Sequence, residues 1–112
     1  MAEKSYSRIF NEKSQNWDND PNFNYMFLKT VEQRANDILK TKGYLFLRDV
    51  YEMLGIGPIT KESIVAGWYR DSNNVIKKIT FRIQYSPINE EIELIFDVEE
   101  NILNFFEKEQ DE

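Results

Sequence analysis

The sequence contains no cysteine and no histidine. Without cysteine there is no disulfide framework and no thiolate to hold a metal or attack a substrate. Without histidine the commonest general base and the commonest zinc ligand are missing as well. Catalysis would have to rest on carboxylates, lysine or tyrosine. Among 20 acidic residues, neighbours such as Glu90 with Glu91, or Glu99 with Glu100, arise without marking a glycosidase-type pair. The expectation is a non-enzymatic protein with no cofactor and no metal. Long apolar runs are also lacking. The opening residues MAEKSYSRIFNEKSQNW are too polar for a signal peptide, and no window reaches the length that spans a bilayer. A cytoplasmic protein without membrane contact is expected.

Glycine and proline are scarce, at four and three, and three of these seven fall in the turn Gly55, Ile56, Gly57, Pro58. The glycines of that turn have neither the spacing nor the flanking strand of a phosphate-binding loop, and no Walker lysine follows. Asp18, Asn19 and Asp20 begin like a calcium loop, but Phe23 and Lys29 occupy the places of its glycine and its bidentate acid. A turn ahead of a helix is the better reading.

What is present is an apolar fraction of 41%, with eight Phe, six Tyr and two Trp, enough for one packed core in a chain of 112 residues. The net charge of -6 is unevenly placed. Up to Ser86 there are 13 Lys or Arg against 10 Asp or Glu, a net of +3, whereas from Pro87 onward there is 1 against 10, a net of -9. Such a block attracts basic surfaces and repels phosphate over roughly 8 to 10 Å, although acidic ends are also common as plain solvated tails.

Residues 1–21 read as a flexible N-terminal arm, residues 22–106 as a single α+β domain and residues 107–112 as an acidic tail. Phe27, Leu28, Val31, Ala35, Ile38 and Leu39 recur at spacings of three and four, predicting a long helix from about Asn24 to Lys42. Asn22 or Asn24 is its expected N-cap and Gly43 its left-handed stop, with Lys29, Glu32, Gln33, Arg34, Asn36 and Asp37 on a solvated face. A short second helix starts near Asp49 and Glu52 in a capping-box pattern and ends at Gly55. Ile64, Val65, Trp68 and Tyr69 favour extended structure, with Gly67 marking a bulge or a close approach. After a turn at Asp71, Ser72, Asn73 and Asn74, Ile79, Phe81, Ile83 and Tyr85 alternate with polar residues. Beyond Pro87 and Asn89, Ile92, Leu94 and Phe96 alternate with Glu91, Glu93 and Ile95, giving a second half-buried strand with an acidic outer face. Ile102, Leu103, Phe105 and Phe106 fit a terminal helix or a fourth strand, and the strand is the expectation here. The predicted fold is α+β, a long helix and a short second helix packed on a three- to four-stranded antiparallel sheet.

The stretches FLKTVEQRAND, GYLFLRDVYEMLGI, GWYR and IELIFDV resemble a family of short proteins of unknown function carried by phages and other mobile elements of Gram-positive bacteria. Members often have an Asp-Gly turn after the last strand, where this chain has Glu99, Glu100 and Asn101. The resemblance brings no catalytic residues with it. It implies a setting in which small acidic proteins often bind and disable host defence machinery.

These observations favour a binding protein. Glu90, Glu91, Glu93, Asp97, Glu99 and Glu100 would set charges along a strand and turn, with alternate residues about 6.5 to 7 Å apart, a spacing close to that of phosphates along a nucleic-acid strand. Trp68 and Tyr69 would anchor the contact, unless they pack in the core. The expected partner is a host protein with a basic nucleic-acid channel, such as a CRISPR effector, bound without direct contact to nucleic acid by a monomer or homodimer. One alternative is an adaptor of a virion or conjugation apparatus, with Phe105 and Phe106 between subunits. The other is a winged-helix regulator, with Thr60 to Ala66 as a third helix and Arg70, Lys77, Lys78 and Arg82 on phosphate. The acidic net charge and the Asp49 and Glu52 of the second helix oppose that last reading.

Overall fold

The computed structural model describes residues 3–70, 78–88 and 90–103. The elements in order are β1 (Glu3–Phe10), α1 (Pro21–Lys42), β2 (Tyr44–Phe46), α2 (Leu47–Leu54), β3 (Gly67–Tyr69), β4 (Phe81–Ser86) and β5 (Glu91–Glu99), with one 3-10 turn at Glu62–Ile64. The class is the expected α+β, two helices on an antiparallel sheet. The sheet has five strands where three or four were expected, and a strand precedes the long helix.

β5 is the centre of the sheet because its sequence alternates without a break. Ile92, Leu94, Phe96 and Val98 are buried, while Glu91, Glu93, Ile95, Asp97 and Glu99 point to the opposite face. β1 runs antiparallel along one edge of β5, from Glu3 opposite Glu99 to Phe10 opposite Ile92. The other edge is shared: β4 pairs from Phe81 opposite Phe96 to Ser86 opposite Glu91, and β3 takes over at Gly67 opposite Glu99. β2 then adds to β3, with Leu45 opposite Trp68. Where the edge passes from β4 to β3, the Trp68 indole N–H donates to the Asp97 carbonyl at 2.9 Å.

Within the stretch 1–21 expected as a flexible arm, residues 3–10 form strand β1 instead. Tyr6, Arg8 and Phe10 point inward while Ser5, Ser7 and Ile9 point outward, so an edge strand forms with only one fully buried apolar side chain, Phe10. Phe10 stacks on Phe27 of α1 at 5.8 Å and meets Trp17 edge-on at 5.3 Å. Arg8 is held by the Gly55–Pro58 turn. Its Nη1 and Nη2 donate to the carbonyls of Gly57 at 3.3 Å and Pro58 at 2.7 Å, and its guanidinium lies 4.4 Å from the Tyr51 ring centroid.

The long helix buries Leu28, Val31, Ala35 and Leu39, the face expected from its spacing. It begins earlier than expected, because Asp20 rather than Asn22 or Asn24 is the N-cap, accepting from the Asn22 N–H at 2.9 Å, with Pro21 in the first helical position. Asn24 is buried and closes a local ring, donating to the Asp18 carbonyl at 2.7 Å and accepting from the Asp18 N–H at 2.8 Å. Gly43 ends the helix at φ 87°, its N–H donating to the Leu39 carbonyl. Two residues placed on the solvated face of the helix, Glu32 and Asn36, instead fasten β4. Glu32 accepts from the Phe81 N–H at 2.8 Å, and Asn36 both donates to the Ile79 carbonyl at 2.9 Å and accepts from the Ile79 N–H at 2.7 Å.

α2 begins one residue pair before its expected capping box. Asp49 is its third residue and accepts from the Phe46 N–H at 3.3 Å. Its Tyr51 meets Phe96 of the central strand at 5.6 Å, and Phe96 in turn meets Phe81 at 5.2 Å. Thr60 to Ala66 holds only the three-residue 3-10 turn, so the third helix that a winged-helix reading needs as its recognition element is absent among the described residues. Ile102 and Leu103 do not extend the sheet as a fourth strand. Ile102 is fully buried instead, and its N–H donates to the Val65 carbonyl at 2.8 Å. The predicted turn at 71–74, Lys77, Asn89, Phe105, Phe106 and the tail 107–112 lie outside the described residues.

Candidate functional site

The sheet has one face under the helices and one facing away from them, and strand parity sends the acidic residues of β5 to the outer face. Across that face Glu93 stands between Ile9 of β1 and Gln84 of β4, Ile95 between Ser7 and Arg82, and Glu91 beside Ser86. This much follows the sequence expectation. The charges are not equivalent, however. Arg82 grips Asp97 with Nε to Oδ2 at 2.8 Å and Nη2 to Oδ1 at 2.9 Å, and the Ser5 hydroxyl donates to the same carboxylate. Lys4 pairs with Glu100 at 3.3 Å. The even row of six carboxylates is thus broken, and two of its members are neutralised within the molecule.

Glu90, Glu91, Glu93 and Glu99 have no lysine or arginine within ion-pair distance among the described residues. Glu91 accepts a hydrogen bond of 3.4 Å from Asn11. Glu99 sits opposite Glu3 and Gly67, and its Oε2 is buried without a hydrogen-bond partner. The unpaired negative charge nearest solvent is therefore concentrated at the β4–β5 hairpin, in Glu90, Glu91 and Glu93. Glu90 lies in the turn before β5 with φ 52°, a left-handed conformation uncommon outside glycine, asparagine and aspartate.

The two proposed aromatic anchors separate. Trp68 is 5% exposed and belongs to the core, so it is withdrawn as a surface anchor. It stands opposite Leu45 in the β2–β3 pairing, and its indole N–H donates to the Asp97 carbonyl. Tyr69 is half-buried on the outer face, opposite Tyr44, and Tyr44 meets Phe46 at 6.0 Å. The Arg48 guanidinium lies 5.5 Å from the Phe46 ring. The outer face thus has an acidic end at the hairpin and an aromatic end at β2 and β3.

A cleft of about 350 Å³ opens beside the acidic end, between the start of α1 and the β4–β5 hairpin, and includes Trp17, Tyr25, Tyr85 and Glu90 in its walls. Sequence reasoning missed Trp17, Tyr25 and Tyr85 because they lie on three separate segments with no shared period. The one signal the sequence offers is Glu90, placed between two strands. A second, shallower cleft between α1 and α2 carries Arg34, Lys42, Asp49 and Glu52 together. Among the described residues no group of acidic side chains is arranged to hold a metal ion, and no helix is long and apolar enough to cross a membrane.

Residues 1–106 match the model of a family described as "Family of unknown function (DUF6353)". No curated protein and no solved structure matches the chain.

Proposed function

We propose that this chain, which belongs to the DUF6353 family of unknown function, is a small non-catalytic binding protein that engages a basic protein surface through the hairpin end of its outer sheet face. The observation that carries the reading is the cluster Glu90, Glu91 and Glu93, none of which has a cationic partner among the described residues, in a chain of net charge -6. Unpaired carboxylates held on a strand and a tight turn present a fixed negative field to an approaching partner, which raises the encounter rate and makes it dependent on salt. Asp97 and Glu100, which are already paired, contribute little to that field.

The sequence resemblance to short proteins of phages and mobile elements of Gram-positive bacteria supplies the setting for this proposal. The partner is then a host enzyme whose positively charged channel ordinarily takes nucleic acid, a CRISPR effector being one such enzyme. The chain acts in the host cytoplasm by occupying that channel. Binding is to protein, with no direct contact to nucleic acid.

The test is affinity capture from a host lysate at two salt concentrations, comparing the wild-type chain with the double substitution Glu91→Gln and Glu93→Gln. A basic protein captured by the wild type at low salt, and lost in the double variant or at high salt, supports the proposal. Capture that survives both changes overturns it.

A further inference from the structure

The cleft beside the hairpin differs from the rest of the surface in what lines it. Leu28 and Ile92, both buried, belong to its inner wall. Three aromatic rings from three segments complete it: Trp17 from the turn before α1, Tyr25 from the first turns of α1 and Tyr85 from the end of β4. Tyr25 and Tyr85 are 56% and 55% exposed, so neither ring is committed to the core. Trp17 is held by its edge contact with Phe10. Among the described residues that line the cleft, Glu90 alone is charged and none is cationic.

These features select one kind of occupant. The faces of Trp and Tyr attract cations, most strongly where water is partly excluded, and a carboxylate at the rim supplies the opposite charge. An anion would meet Glu90 and find no positive group among the described lining residues. A neutral apolar group would strip water from the carboxylate without offering it a hydrogen bond. The Tyr25 ring already attracts the Nζ of Lys29, 5.7 Å from its centroid, although that lysine is not part of the cleft and pairs with Glu32. The volume is at the low end of ligand pockets, suited to one side chain and too small for a large cofactor. Glu90 is, moreover, the one described non-glycine residue with positive φ, and such local strain persists where the surroundings hold it and recurs at ligand clamps.

We infer that the cleft formed by Trp17, Tyr25, Tyr85 and Glu90 accepts the cationic end of an arginine or lysine side chain. The source we assign, a basic partner protein, rests on the function proposed above, and the cleft would fix the register of that partner on the hairpin.

The probe is a blocked pentapeptide with one central arginine flanked by alanine and glycine, titrated while the two indole N–H resonances are followed by NMR and assigned with the Trp17→Phe variant. The arginine peptide should shift the Trp17 resonance saturably and leave that of Trp68 in place. The same peptide with citrulline, a neutral isostere of arginine, should bind roughly tenfold more weakly, and Glu90→Gln should weaken the arginine peptide roughly fivefold, magnitudes expected for a partly desolvated cation on aromatic rings. Tyr85→Ala, with amide dispersion as the check that it folds, should weaken it to a similar extent. Equal binding of the citrulline peptide, or no saturable shift with arginine or lysine peptides, would overturn the assignment. Saturation by choline without saturation by either peptide would overturn the side-chain source. Failure of peptide binding with lysate capture intact removes the cleft assignment alone. Peptide binding without capture of a basic protein removes the proposed function and leaves the cleft.

Discussion

Arg82 holds Asp97 diagonally across the β4–β5 pairing with two hydrogen bonds of 2.8 and 2.9 Å, Arg82 itself being in register with Ile95. A two-point grip of this kind is geometrically fixed although both side chains are partly solvated. It divides the outer face, leaving Glu91 and Glu93 unpaired on one side and Glu99 on the other.

Replacing Arg82 by Gln should cost about 1 kcal/mol, the upper end for a surface pair with good geometry. Asp97→Asn should cost a similar amount and the double variant little more, so a urea-melt cycle should return most of the loss as coupling. Because Arg82→Gln also removes a positive charge from the acidic face, it should strengthen low-salt capture of a basic partner while weakening the fold.

The double variant Glu91→Gln with Glu93→Gln removes no ion pair among the described residues. Its thermal midpoint should match or slightly exceed that of the wild type, within about 0.5 kcal/mol, as for surface sites away from special features. A large destabilisation would show that these carboxylates serve the fold, and loss of binding could not then be assigned to the surface.

Gly67 pairs with Phe46 on one side and Glu99 on the other. A Cβ there would lie 2.1 Å from the Leu45 carbonyl oxygen and 2.9 Å from the Phe46 Cα, both backbone atoms that cannot swing aside. Gly67→Ala should therefore cost about 3 kcal/mol or more, at the top of the range for overpacked sites. Equilibrium unfolding measures this directly, and a neutral result would contradict the β2–β3 pairing.

Phe10→Ala should cost about 3 to 5 kcal/mol, the range for a buried aromatic. A flexible arm would tolerate the same change, so denaturant unfolding of this single variant separates the two descriptions. Hydrogen exchange should agree, with slowed amides in β1.

Tyr51 is 2% exposed, and burial pushes its phenol above the ordinary value of 10.0 against the opposing pull of Arg8. The folded state thus favours the neutral phenol more than the unfolded state does. Its contribution is fully present below about pH 10 and is lost as pH rises through the raised folded value. Wild-type stability should fall more steeply than that of Tyr51→Phe above about pH 10, as read from melts of both proteins across that window.

The long helix and the two strands β4 and β5 were legible because each carries an unbroken period, and Gly43 because a helix that ends there needs a left-handed residue. β1 was not legible. Its inward positions include Lys4 and Arg8, its outward ones include Ile9, and its partner lies more than 80 residues away, so neither alternation nor local pairing betrays it. The acidic row was visible in the sequence, but its partition was not. Whether Asp97 or Glu93 meets Arg82 depends on a register set by core packing, and sequence spacing does not contain that information. The cleft escaped for a related reason, since Trp17, Tyr25 and Tyr85 become neighbours only once α1 and the hairpin have docked.

The pairing of β1 with β5 also orders events during synthesis. The ladder of the first strand cannot be completed before Glu99 has left the ribosome, because no other strand flanks it among the described residues. Until then the inward side of β1 lacks the surface of β5 that completes its cover. Joining these two strands closes a loop of more than 80 residues, a non-local step of the kind that slows folding.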